Sequence, residues 1–110
     1  MISDQWDTVR VPFPFTDIAA AKKRPALVLS KRTFNAASGH TVMAMITKRA
    51  NNPWPQDYEV QQWAQAGLKL PSWIRIKIFT IENSLIVDRL GALQTVDIAG
   101  IRTIVSGTLW

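Results

Sequence analysis

Three cations run straight into a proline at Lys22-Lys23-Arg24-Pro25, and the apolar run Ala26-Leu27-Val28-Leu29 follows at once. Pro25 has no N–H to give a sheet and disfavours helix for Arg24, so the junction reads as a loop entering a strand. An uninterrupted apolar run is the pattern of a strand buried on both faces. A guanidinium is thereby fixed at the mouth of a rigid element, and its planar, multi-donor group suits phosphate oxygens. Taken alone, a solvated charged loop capping a core strand would explain the same residues. Other chemistries have little material. One histidine, His40, and no cysteine exclude thiol catalysis and a disulfide scaffold and leave few ligands for a transition metal. Asp17, Asp57 and Glu59 form no paired carboxylate motif. No metal site and no cofactor are expected.

The distribution of charge says more than its total. Thirteen Lys and Arg against eight Asp and Glu give a net charge of +5. No acidic residue occurs from Ile18 to Gln56, while that span holds Lys22, Lys23, Arg24, Lys31, Arg32, Lys48 and Arg49. If the strands carrying these cations are neighbours, their ends form one basic surface of the kind that attracts phosphate backbones.

The elements that must position this surface are short strands. A chain of 110 residues, 47% hydrophobic, supports a single domain over 1–110 with one core. No run of about 18 apolar residues is present, so no membrane span is expected. The polar, acidic start Met1-Ile2-Ser3-Asp4 does not resemble a signal peptide, and the lack of cysteine fits a reducing cytoplasm. Alternation predicts strands over Thr8–Val11, Pro25–Lys31, Thr41–Thr47, Asp57–Gln61, Trp73–Phe79 and Leu85–Leu90. Arg75 and Lys77 share one face of the fifth. Pro12 and Pro14 end the first ladder, Thr16–Lys23 is a loop, Ala36–Gly39 is a turn signal, and Asn51–Pro55 is an exposed loop. Ile98, Ile101 and Val105 recur at helical spacing after Thr95, a plausible N-cap, with Asp97 placed favourably in the first turn. Five to seven strands, one terminal helix and no β-α-β alternation imply a small, strongly bent sheet or barrel. Its core would draw on Leu27, Leu29, Val42, Ala44, Ile46, Ile78 and Leu90.

Five segments carry a family resemblance: VPFPFTD (Val11–Asp17), KRPALVLS (Lys23–Ser30), MAMIT (Met43–Thr47), AGLKLPS (Ala66–Ser72) and KIFTIENSLI (Lys77–Ile86). In this order they resemble the PemK/MazF toxins of bacterial type II toxin–antitoxin pairs, over about residues 5–105 of the chain. The resemblance implies a mainly β fold, an SH3-like barrel (CcdB/MazF-like) with a C-terminal α-helix. It also implies a homodimer, metal-independent and sequence-selective cleavage of single-stranded RNA, and a cognate antitoxin whose disordered tail fills the RNA groove. DNA would be met only through the antitoxin.

RNA carries its own nucleophile, the 2′-hydroxyl, so such an enzyme needs only proton transfer and stabilisation of the phosphorane. Products would be a 2′,3′-cyclic phosphate and a 5′-hydroxyl. In the family the arginine of the RPA motif and the threonine closing the next strand carry the catalysis, and the matching positions are Arg24 and Thr47. A guanidinium stays protonated, so Arg24 suits charge stabilisation better than proton transfer. Thr47, a poor acid, would orient the phosphate; its alternative is a β-forming residue at a strand end. Lys77 falls where relatives place a polar substrate contact. Lys22, Lys23 and Lys48 would add phosphate attraction, and Pro14 and Phe15 border the groove, with Phe15 able to stack on a base. Trp73 and Trp54 are further stacking surfaces, although tryptophans fill cores and interfaces equally well. His40 has no family counterpart and is assigned no role. The competing function is a CcdB-like gyrase inhibitor, acting through a terminal Trp-Gly-Ile segment from which Gly107-Thr108-Leu109-Trp110 departs; a non-cleaving RNA-binding relative is a third.

Overall fold

Strand β3 (His40–Lys48) lies near the centre of the sheet, and its composition explains why. Met43, Ala44 and Ile46 are buried on alternating faces, so both sides of this strand must be covered. The computed structural model describes residues 1–13 and 22–110. In it β1 (Asp7–Pro12), β2 (Lys23–Val28), β3, β4 (Tyr58–Glu59), β5 (Ser72–Glu82) and β6 (Asp88–Ala92) form one antiparallel sheet ordered β4-β5-β3-β2-β1-β6. The sheet curls into a half-barrel and a C-terminal helix, α2 (Thr95–Leu109), packs against it, as the expected barrel-plus-helix fold requires.

The core divides into two clusters. Val9, Val11, Phe13, Ala26, Val28, Met43, Phe79, Ile81 and Ile86 form one; Leu27, Ala44, Ile46, Val60, Ala66, Leu68, Ile74, Leu93 and Ile101 form the other. Of the expected core, Leu27, Ala44 and Ile46 are fully buried, while Leu29, Val42, Ile78 and Leu90 are only partly so. The open end of the half-barrel is closed by the segment after β4. Thr8 Oγ1 donates to the Ala66 carbonyl at 2.6 Å, and the backbones of Gly67 and Gly91 approach so closely that a Cβ on either would strike the other strand's carbonyl.

Several boundaries differ from the sequence expectation. The second strand stops at Val28 rather than Lys31, because a short helix, α1 (Arg32–Ser38), follows. The turn signal at Ala36–Gly39 is the end of that helix, with Gly39 in the left-handed region as its cap. β4 has two residues instead of five, and the last strand begins at Asp88, after a 3₁₀ turn over Asn83–Leu85. In β5 the register against β3 slips between Ala44, opposite Ile78, and Met45, opposite Arg75, so that Ile76 and Lys77 fall between these two pairs. The expected loop over Thr16–Lys23 lies, except for its last two residues, outside the described residues.

Helix α2 is tied down by a carboxylate. Its N-cap, Gln94, makes no side-chain cap bond, so Thr95 is the first helical residue rather than the cap. Asp97, fully buried, accepts from the Tyr58 hydroxyl (2.7 Å) and from the backbone N–H of Gln61 (2.8 Å) and Gln62 (2.9 Å). Replacing it by alanine would strand three donors, so Asp97→Ala is expected to cost about 3 kcal/mol and lower Tm by about 10 °C or more. Val96→Ser on the exposed face should leave Tm unchanged in the same calorimetric scan. Burial, and then the hydrogen bond and charge of Asp97, hold the Tyr58 hydroxyl protonated well above the usual tyrosine range. In the unfolded chain it ionises near pH 10, so its contribution is intact below that pH and is lost above it. Urea midpoints measured from pH 8 to 11 should therefore fall more steeply for wild type than for Tyr58→Phe.

Candidate nucleic-acid interface

Pro25 ends the β2–β3 ladder at the Ala26–Met45 pair, since it has no N–H to continue it. Continuing that register by two residues sets Arg24 across from Thr47. Both side chains line two adjoining cavities, of about 330 and 490 Å³, and mark the boundary between them. The structure thus brings together the pair that the sequence singled out.

The first cavity is a basic trough. Arg10, Lys23, Arg24, Lys48 and Lys69 line it, over a floor that includes Pro25, Ile46, Leu68 and Leu90. Arg10 is compensated by a forked ion pair with Asp88, at 3.1 and 2.7 Å. Among the described residues no carboxylate lines the trough. Beyond Lys48 and Leu70 it continues as a shallower depression beside Arg49 and Pro71. The second cavity is more mixed, lined by Phe13, Met45, Asn51, Asn52, Trp54, Arg75 and Lys77.

Two details shape the chemistry between them. Arg24 Cζ lies 5.7 Å from the Phe13 ring centroid, and its Nε is buried without a hydrogen-bond partner among the described residues. An orphaned charged donor costs free energy that an incoming anion would recover. Thr47, only 6% exposed, accepts a 2.6 Å hydrogen bond at Oγ1 from Asn51 Nδ2. That bond occupies the acceptor side of the hydroxyl, and its own proton remains to donate.

The other expected residues divide. Lys23 and Lys48 line the trough and Lys77 the second cavity, whereas Lys22 is exposed and lines neither. Trp73 sits directly opposite Thr47 in the β3–β5 ladder but lines neither cavity, so the structure does not bring it into the site. Pro14 and Phe15 lie outside the described residues. His40 opens β3, seven residues from Thr47 and therefore about 23 Å away along the strand. Sequence reasoning missed Asn51, Asn52, Lys69 and the role of Arg75. Asn51 stands four residues after Thr47 in what reads as an ordinary loop, and Arg75 was legible only as Lys77's neighbour on one face. That shared face is confirmed by the cavity both residues line.

The half-barrel thus carries an arginine and a threonine at adjoining strand ends, inside a basic groove. The chain matches the model of the PemK-like, MazF-like toxins of type II toxin–antitoxin systems over residues 4–107, and it belongs to that family. Among solved structures it is similar to MazF from Deinococcus radiodurans (TM-score 0.76, 19% identity, 99% of this chain and 97% of that one). It is also similar to an endoribonuclease in complex with its cognate antitoxin from Mycobacterial species (TM-score 0.76, 16% identity, 98% and 93% of the chains). A third is the Mycobacterium tuberculosis toxin MazF-mt6 (TM-score 0.73, 18% identity, 92% and 93%). No curated protein sequence matches.

Arg75 is the most enclosed cation of the site. It is 7% exposed, and its guanidinium makes a forked pair with Asp57, Nε to Oδ1 at 3.2 Å and Nη2 to Oδ2 at 2.8 Å. Nη2 also donates to the Asn52 carbonyl at 2.8 Å. Asp57, which the sequence left without a role, is therefore the counter-charge that lets an arginine be buried here. Removing it would leave a buried charge alone, and Asp57→Ala should destabilise the fold by about 3–5 kcal/mol in denaturant titration. Breaking the exposed Arg49–Glu59 pair with Glu59→Ala should cost about 1 kcal/mol or less.

Proposed function

We propose that this toxin is a metal-independent, sequence-selective endoribonuclease that cleaves single-stranded RNA, mRNA above all, in the cytoplasm. The observation that carries the reading is an Arg24 Nε and a Thr47 hydroxyl proton that, among the described residues, are both without an acceptor. With the scissile phosphate at the junction of the two cavities, Thr47 donates to a non-bridging oxygen and orients the group. Arg24 offers parallel N–H donors to the oxygens that gain charge as the 2′-oxygen attacks. The 2′-hydroxyl gives its proton to solvent water, its oxygen bonds to phosphorus to close a 2′,3′-cyclic phosphate, and the P–O5′ bond breaks with the departing 5′-oxygen taking a proton from water. No metal is required, because the substrate supplies the nucleophile and Arg24 the positive charge. Lys23, Lys48, Lys69 and Lys77 line the path on either side and attract the flanking phosphates.

The same groove suits an antitoxin. An acidic, disordered tail folding onto it would mimic the phosphates and compete with RNA, and the active toxin would be a homodimer that extends the groove over two barrels. The CcdB-like gyrase-inhibitor reading gains no support from the site, whose buried donors face a groove rather than the C-terminal helix.

Purified protein should cut single-stranded RNA in excess EDTA and leave 2′,3′-cyclic phosphate ends, detectable by their resistance to ligation until opened. Activity that vanishes with chelator and returns with magnesium would refute the metal-free mechanism. Arg24→Ala should lower kcat/KM by about 100-fold or more, on the scale of a lost electrostatic stabiliser, and Thr47→Val by less. Lys48→Glu combined with Lys77→Glu should weaken RNA and antitoxin binding together and flatten the dependence of RNA affinity on salt. Saturating antitoxin that leaves RNA binding untouched would sink the shared groove. Sedimentation should give a dimer at micromolar concentration.

A further inference from the structure

Trp54 is 44% exposed, and its indole is held in place more firmly than an exposed tryptophan needs to be. The Asp57 carboxylate that clamps Arg75 also accepts from the Trp54 backbone N–H at 2.8 Å, and the Asp57 N–H returns a bond to the Trp54 carbonyl at 3.2 Å. The Arg75 guanidinium then sits 4.6 Å from the indole centroid. Arg75 is buried, so the part of the indole packed against it is covered, and Trp54 lines the second cavity together with it. One carboxylate thus fixes both the backbone at Trp54 and the cation that packs on its ring. Asn51 ties the same loop to the Thr47 hydroxyl. Lys77 Nζ lies 5.8 Å from the ring centroid, and Asn52 lines the same cavity.

We propose that Trp54 is the floor of a nucleobase subsite: one unpaired base of the RNA stacks on the indole face turned away from Arg75. The proposal rests on the reading of this groove as an RNA site and adds the source of its preference for single strands. Every base has a π-face, but in a duplex both faces are covered by neighbours, so only an unstacked base can lie on the indole. The ring's position is set before the ligand arrives, so little ordering is required on binding. The loop's tie to Thr47 holds the stacked base at a fixed distance from the scissile phosphate. Lys77 serves the phosphate of the stacked nucleotide, and the Asn52 amide meets the polar edge of the base.

The test compares short single-stranded RNA homopolymers with an abasic ribose–phosphate strand of equal length and charge, in fluorescence-anisotropy titrations. Wild type should bind the best homopolymer about 5- to 150-fold more tightly than the abasic strand. In Trp54→Ala that ratio should collapse toward one with the abasic affinity unchanged, and Trp54→Phe should keep most of it. Thermal unfolding of each variant checks that the loop's packing survives. A ratio that is the same in wild type and Trp54→Ala, or absent from wild type, overturns the subsite. A parallel cleavage assay separates the two readings. Protein that shows the Trp54-dependent ratio but cuts no RNA overturns the nuclease and leaves the subsite standing. Protein that cuts RNA with a ratio indifferent to Trp54 overturns the subsite alone.

Discussion

The rest of the molecule depends on β3 being buried on both faces. Met43 belongs to one core cluster and Ala44 and Ile46 to the other, so a slip of one residue against β2 would exchange the two sets and empty both cores. The packing therefore fixes the register, and the register fixes what emerges where the ladder ends. Pro25 stops the hydrogen bonding just before Arg24, and the strand opposite reaches Thr47 at the same level. The two groups meet without any direct bond between them; a hydrophobic constraint some residues away sets their spacing. A site built this way is supported by strands rather than by a loop, which suits a reaction that needs donors aimed at a developing charge.

Electrostatics follows from how the acids are distributed. Among the described residues the ion pairs join Arg10 to Asp88, Arg32 to Asp4, Arg49 to Glu59, Arg75 to Asp57 and Arg89 to Asp7. Five carboxylates are thus committed to arginines that shape or rim the fold, and Asp97 to the helix. Arg24, Lys48 and Lys69 take part in none of these pairs, so the trough keeps its positive potential. A modest net charge of +5 is concentrated where a polyanion would lie.

Much of this was legible in the sequence where hydrophobic alternation and proline chemistry act locally. The strand after Pro25, the buried third strand and the C-terminal helix could all be read, and the paired motifs around Arg24 and Thr47 pointed to two residues that line both cavities. What stayed hidden depends on long-range polar contacts. Helix α1 buries an asparagine rather than an apolar stripe: Asn35 accepts from the Ser30 hydroxyl and donates to the Ser3 carbonyl, which leaves no hydrophobic period to detect. Asp97 looked like a helix-dipole residue and is instead a buried staple for the segment after β4. Asp57 looked idle because its partner, Arg75, lies eighteen residues on. Trp73 was as plausible a stacking surface as Trp54 by composition, and only the curl of the sheet tells them apart.

The irregularity in β5 sets two residues, Ile76 and Lys77, between the Ala44–Ile78 and Met45–Arg75 pairs, and the number matters. An insertion of one residue would have inverted the pleat from that point onward, turning Phe79 and Ile81 out of the core. Two residues are silent to the pleat: Ile74 and Ile76 still face one cluster, Phe79 and Ile81 the other, and Arg75 and Lys77 both reach the cavity. The wall of the groove is therefore a position where a lineage can change length in even steps, moving a cation along the ligand while the hydrophobic interior keeps its pattern. Divergence in what such a groove recognises can accumulate there without the protein first having to refold.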